Sequence, residues 1–227
     1  MRITSMKTLA AVGVCATLIF VPVFLQAETA NVSAPQRKVK QLFNGKDLEG
    51  WEHVGPGRFV VEDRLLRTES HMGLLWYTRE KFGNCVIRVV YKTSEPTSNS
   101  GVYIRIADRP NDEWFAVHHG YEVQICDNQD EYHTTGAIYS LSKVTSRQEK
   151  KTGEWNTMEI TLKGPLVLIS LNGVEVNRFD PSQPVPKREH DWEPERGPRP
   201  ESGYIGLQNH DDKDSHVYFK EVSVTTL

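Results

Sequence analysis

The chain has 227 residues, length for one or two domains, and its 38% hydrophobic and 25% charged residues match an ordinary soluble globular protein. The formal net charge of −3 leaves no basic excess that would point to nucleic acid or an anionic membrane surface.

Arg2 and Lys7 precede a charge-free apolar run from Leu9 to Leu25, and Gln26-Ala27-Glu28 follows. This order reads as a secretory signal peptide over residues 1–27, which implies export to the periplasm or beyond and no membrane contact after cleavage. Cleavage after Ala30 is an alternative. So is an uncleaved anchor, because the run is at the short end of what spans a bilayer. Residues 28–40 are polar and read as a linker, which leaves one domain over 41–227. Cys85 and Cys126 remain in the mature part. An exported protein could pair them, but both fall in predicted strands and a bridge demands specific geometry, so two buried free thiols are the competing expectation.

From Gln41 onward no long amphipathic helix pattern occurs. Short β-rich runs recur instead, at 58–61, 65–68, 74–77, 84–93, 101–106, 121–126, 137–139, 155–162, 166–171, 174–179, 204–208 and 216–225. Many short strands with Gly, Asn and Pro punctuation predict a β-sandwich or barrel. Asn172-Gly173 lies between two such runs and predicts a type I′ hairpin, because both residues tolerate positive φ. Glu62-Asp63-Arg64 predicts a second hairpin turn. Two long stretches interrupt the pattern. Residues 108–120 carry Trp114, His118 and His119, and the proline-rich 180–200 carries Trp192. Loops this long are usually functional or disordered. Tryptophan faces suit sugar rings, although both could simply pin their loops.

Three runs have one apolar and one polar face. Side chains alternate along a strand, which puts Val102, Ile104, Ile106, Tyr121, Val123, Ile125, Ile205 and Leu207 on one side. Tyr103, Arg105, Glu122, Gln124, Gln208 and His210 fall on the other. If the runs share a sheet, the polar side is a sugar-sized surface. The competing reading is a cross-strand Arg105–Glu122 ion pair on a solvated face, worth little. His119 and His210 lie near strand ends, where an imidazole can act as base or ligand. Asp127 ends the Glu122 strand on the opposite parity, as part of the strand end or turn. Asp211-Asp212-Lys213-Asp214 could contribute oxygen ligands to a divalent ion such as Ca²⁺, although no paired-Cys or His-x-x-x-His motif is present.

Retaining glucanases on sandwiches need two carboxylates about 5–5.5 Å apart on one face. Here Gln124 and Cys126 follow Glu122 on its face, which disfavours that chemistry. No Gly-x-Ser-x-Gly elbow or phosphate-binding glycine loop occurs.

Six blocks in order carry a family resemblance. They are Leu42-Phe-Asn-Gly-Lys-Asp-Leu-Glu-Gly-Trp51, Ser98-Asn-Ser-Gly-Val-Tyr-Ile-Arg105, Gly120-Tyr-Glu-Val-Gln-Ile125, Thr135-Gly-Ala-Ile-Tyr139, Gly153-Glu-Trp-Asn-Thr157 and Ser202-Gly-Tyr-Ile-Gly-Leu-Gln208. Together they resemble the DUF1080, or 3-keto-disaccharide hydrolase, domain family across residues 41–227. Phe59, Asn209 and Asp211 depart from its usual pattern. The resemblance implies a concanavalin-like, two-sheet antiparallel jelly-roll sandwich in an exported bacterial protein that cleaves 3-keto-glycosides. A ketone at C3 acidifies the C2 proton, so one base and one electrophile suffice for elimination of the glycosidic oxygen. Glu122 or a neighbouring histidine, His210 first, is the expected base. Arg105 or a divalent ion is the expected enolate partner. Tyr103, Gln124, Gln208, Asp127, His119, Trp114 and Trp192 are expected to hold a small glycoside or oligosaccharide. The alternative is a non-catalytic carbohydrate-binding module on the same fold.

Overall fold

The computed structural model describes residues 38–69, 71–210 and 214–227. The predicted signal peptide lies outside them, as do residues 28–37 of the predicted linker. In chain order the strands are β1 (Val39–Gln41), β2 (Trp51–Val54), β3 (Phe59–Glu62), β4 (Leu65–Thr68), β5 (Gly73–Tyr77), β6 (Cys85–Thr93) and β7 (Ser100–Ile106). A short helix α1 (Phe115–His119) intervenes before β8 (Tyr121–Ile125). Then follow β9 (Asn156–Lys163), β10 (Leu166–Leu171), β11 (Val174–Phe179), β12 (Tyr204–Asn209) and β13 (Val217–Thr226). Among the described residues no helix is long and apolar enough to cross a membrane.

The strands form two antiparallel sheets. One runs β11-β10-β9-β6-β13-β4-β3, with β1 also paired to β13; the other runs β2-β5-β12-β7-β8. This is the expected jelly-roll sandwich. The apolar core lies between the sheets. Ile87, Val89, Met158, Ile160, Val167, Ile169, Phe219 and Val222 face Leu75, Val102, Ile104, Val123, Ile125 and Leu207 in one cluster. Burial of each such side chain contributes about 1.5–3 kcal/mol. In the first sheet β9 and β10 alternate buried and half-buried residues, as a sheet with one solvated face must. The second sheet differs: β5, β7 and β8 are buried on both faces. The solvated-face reading of the Glu122 side therefore fails.

Both predicted hairpins form. Leu171 pairs with Val174 around Asn172 and Gly173, at φ 52° and 86°. Glu62 pairs with Leu65 around Asp63 and Arg64, at φ 50° and 65°. Three expectations change. β1 reaches into the stretch read as linker. Residues 137–139 contribute only isolated bridges from Ile138 to Val123 and Ser142. The 108–120 loop contains α1. Cys85 and Cys126 are both free and buried.

A bulge alters the face assignment. Tyr204 pairs with Ile106 but Gly206 pairs with Tyr103, so Ile104 and Arg105 together oppose the single residue Ile205. Arg105 takes φ 55°, and strict alternation is broken there. The guanidinium swings away from the Glu122 face. It donates to the backbone carbonyls of Gly164 at 2.5 Å and Pro165 at 3.1 Å, in the β9–β10 turn of the other sheet. Gly203 makes room for this bulge, since a Cβ there would sit 2.4 Å from the Arg105 backbone. Beyond the bulge Ile106 has changed sides. It joins Leu74, Trp76, Tyr103, Ala116 and Val117 in a second cluster that seats α1 on the outer face of the second sheet.

Candidate active site

The site is built on that outer face. Strand register puts Gly101 of β7 between Gln124 of β8 and Gln208 of β12. In the next row Tyr103 lies between Glu122 and Gly206. Gly101 has no side chain, and Glu122 lies diagonally over it: a Cβ at 101 would meet Glu122 Oε1 at 2.5 Å. Gln208 Nε2 donates to the Tyr103 phenol oxygen at 2.7 Å, and the Tyr103 and Gln208 side chains both hydrogen-bond Glu122.

Above this floor is a cavity of about 270 Å³, lined by Met72, Asn99, Trp114, Val117, Glu122, Gln124, Tyr139, Trp192, Gln208 and His210. Ligand pockets run from about 300 to 1,000 Å³, so this space suits one sugar ring. Four buried acceptor oxygens in its lining, Asn99 Oδ1, Glu122 Oε1, Gln124 Oε1 and Gln208 Oε1, have no hydrogen-bond partner among the described residues. Folded proteins leave few buried polar atoms unpaired, and each unpaired one costs about 1–3 kcal/mol. A ligand rich in hydroxyl donors satisfies such a set.

Glu122 is 5% exposed. Burial pushes its carboxyl up to about 8, and the hydrogen bonds from Tyr103 and Gln208 offset this only in part. Burial first, then the Glu122 charge, raises the Tyr103 phenol well above its usual range. No other carboxylate lines the cavity among the described residues.

The two long loops supply the walls. Trp114 precedes α1 and stacks on His118, with centroids 6.4 Å apart. Trp192 stacks on His190 at 4.2 Å and 9°. Arg199 ties the loops together. It donates to the carbonyls of His118 at 2.7 Å and Gly120 at 3.0 Å and lies over the Tyr121 ring.

The structure thus brings Glu122, Gln124, Gln208, His210, Trp114 and Trp192 together, with Tyr103 directly beneath. Three expected residues are elsewhere. Arg105 is committed to the opposite side of its sheet. Asp127 accepts from Thr135 Oγ1 at 2.5 Å and borders a separate groove with Glu149 and Lys150. His119 is exposed and packs on Phe115 at 4.7 Å. Asn99, Tyr139, Met72 and Val117 were not foreseen as site residues. Asn99 and Tyr139 fall inside family-like blocks, but only the fold shows that they turn toward the cavity. Among the described residues no group of three or more His, Cys, Asp or Glu side chains is placed to hold a metal. Residues 211–213 of the predicted acidic cluster lie outside the described residues.

A lectin-like jelly roll with a one-ring polar cavity on its outer sheet face defines a carbohydrate-active protein. The chain belongs to the 3-keto-alpha-glucoside-1,2-lyase-like domain family, whose profile matches residues 38–225. No curated protein matches the chain. Among solved structures it is similar to a candidate glycosyl hydrolase from Parabacteroides distasonis, at 28% identity and TM-score 0.68, over 84% of this chain and 100% of that one. A second candidate glycosyl hydrolase from that organism has 23% identity and TM-score 0.66, over 83% and 94% of the two chains. A galectin-like protein of unknown function from Bacillus subtilis shares the fold at 12% identity and TM-score 0.60, with 83% and 94% covered.

Proposed function

We propose that this protein cleaves the glycosidic bond of 3-keto-glycosides, with Glu122 as the base that removes the C2 proton. The observation that supports this most directly is a solitary buried carboxylate, one oxygen unpartnered, facing a cavity of one-ring size. Hydrolysis by paired carboxylates needs a second acid in the cavity, whereas α-proton removal needs one base of raised pKa. Loss of the C2 proton places negative charge on the C3 oxygen. The side-chain amides of Asn99 and Gln124, which line the cavity, are the donors proposed for it, in place of Arg105. The electron pair then expels the C1 oxygen, and water adds to the resulting double bond. Gln208, Trp114 and Trp192 hold the ring and its hydroxyls. Export, read from residues 1–27, belongs to the same proposal.

The test is incubation of the pure protein with a 3-keto-glucoside and with the unoxidised glucoside. Aglycone release from the keto-sugar alone is expected. Equal release from both, or sugar binding with no turnover, overturns the reading; the second result would identify a carbohydrate-binding module.

Gly101→Ala gives an independent check. The added methyl would meet Glu122 at Oε1, Cγ and Cδ, so the carboxylate must leave its place over the floor. Turnover is expected to fall by more than about tenfold, in line with the loss of a positioned base. Gln208→Ala, which leaves Gly101 and Glu122 unobstructed, should be milder. Turnover of the Gly101→Ala variant at the wild-type rate would remove Glu122 from the base role.

A further inference from the structure

A second compartment of about 380 Å³ adjoins the first cavity and shares Asn99, Gln124, Tyr139 and Trp192 with it. The far side of the second compartment carries Gln129, His133, Glu189, His190 and Glu193. Tyr139 therefore lies where the two spaces join, next to the place where a bond between a ring in one and a group in the other would be cut.

We propose that Tyr139 is the acid that protonates the departing glycosidic oxygen, and that the second compartment holds the leaving group, a neutral hydroxylated ring. This deepens the elimination reading and rests on it. The Tyr139 backbone N–H donates to the Glu122 carbonyl at 3.0 Å, so acid and base are anchored to one another. The ring meets His133 edge-on at 5.0 Å. His133 is fixed in turn by Asp130 at 2.7 Å and Ser140 Oγ at 2.9 Å. Burial, and then the charges of Glu122 and Glu193, push the phenol up to about 12. It holds its proton until a basic oxygen takes it. The second compartment is rich in acceptors, with no lysine or arginine among the described residues that line it. Hydroxyl donors suit it, and a carboxylate or phosphate on the leaving group does not. The stacked Trp192–His190 pair adds a flat face for a ring.

The step balances. Glu122 takes the C2 proton and the C2 electron pair closes the C1–C2 double bond. The C1–O pair stays with oxygen, which takes the Tyr139 proton and leaves as an alcohol. The proton on Glu122 then returns to the Tyr139 phenolate, directly or through water.

The experiment compares wild type and Tyr139→Phe on two substrates, a 3-keto-disaccharide and p-nitrophenyl 3-keto-glucoside. The nitrophenolate leaves without needing a proton. The variant should lose about 100-fold or more in kcat on the disaccharide and less than about threefold on the nitrophenyl substrate, as for a general acid. Equal losses on both substrates, or no loss on either, overturn the assignment of Tyr139. Failure of the wild type on both substrates overturns the elimination reading itself. A second arm uses wild type alone: a disaccharide with a uronic acid as leaving group should react at least about tenfold more slowly than its neutral counterpart. Equal rates would overturn the choice of a neutral leaving group.

Discussion

Glu122→Gln should abolish turnover of a 3-keto-glucoside, by about 10³-fold or more, because an amide cannot accept the C2 proton. The same change should make the protein more stable at alkaline pH. Both effects come from one placement. In the folded protein the carboxyl titrates at about 8, against an ordinary value of 4.5. The folded state therefore keeps a proton that the unfolded chain has released throughout the interval between these values. Stability falls as pH rises through that interval, and the loss is complete above about 8. At about 1.4 kcal/mol per unit the penalty is on the order of 3–5 kcal/mol. A glutamine at this position would carry no such penalty. Denaturant titrations should give the variant and wild type similar stability at pH 5, and the variant the advantage at pH 9. A variant no more stable at pH 9 would mean that Glu122 is not held as an uncompensated buried acid. Catalysis follows the same titration with useful sign. Wild-type kcat/KM should climb with pH and level off above about 8, since only the ionised form is a base. At neutral pH about a tenth of the carboxyls are ionised, and those are stronger bases than an ordinary glutamate. A buried acid that costs stability and supplies reactivity is the usual compromise at such a position.

The sequence carried most of the sandwich because its signals are local. Period-two alternation marks β9 and β10, where one face meets the core and the other meets water. Asn172-Gly173 marks its hairpin because few other pairs adopt two positive φ values cheaply. β1 and β2 were invisible for the opposite reason. Val39, Lys40 and Gln41 are all exposed, and β2 buries only Trp51, so neither offers an apolar row to count. The cavity floor was legible because Glu122, Gln124 and Gln208 lie on unbroken strands whose parity holds. Arg105 was misplaced because the bulge leaves no trace in the pattern. Ile104-Arg105-Ile106 continues the alternation, and no glycine announces the positive φ. Tyr139 ends the run read as a strand over 137–139, which forms only isolated bridges at Ile138, so no row of alternating residues fixes its side. Its place in the site comes from long-range packing that no local period encodes.

Arg105→Ala should separate fold from chemistry. The side chain was expected at the enolate oxygen, but it is 1% exposed and spans the two sheets to the β9–β10 turn, with a third, longer contact to the Leu166 carbonyl at 3.4 Å. Truncation would leave these carbonyls without their donor and open a void beside Cys85 and Tyr121, both of which sense the guanidinium charge. Unpaired buried acceptors cost about 1–3 kcal/mol each. Water reaches the turn and recovers part of that, so the expected loss is about 2–4 kcal/mol, within the range for breaking a buried network. Lysine should not rescue it, because one ammonium cannot reproduce a planar fork spread over neighbouring carbonyls. Kinetics measured well below the lowered melting point should show kcat within about threefold of wild type, because the guanidinium never touches the cavity. A thousandfold loss of kcat with an unchanged melting point would be the opposite result. It would return Arg105 to the chemistry and require the bulge to open when substrate binds. The geometry argues against that outcome, since reversing the bulge would strip the guanidinium from the Gly164 and Pro165 carbonyls and withdraw Ile106 from the cluster beneath α1. The residue that resembles an electrophile by type is thus, by placement, the clamp that holds one end of the sandwich closed under the site.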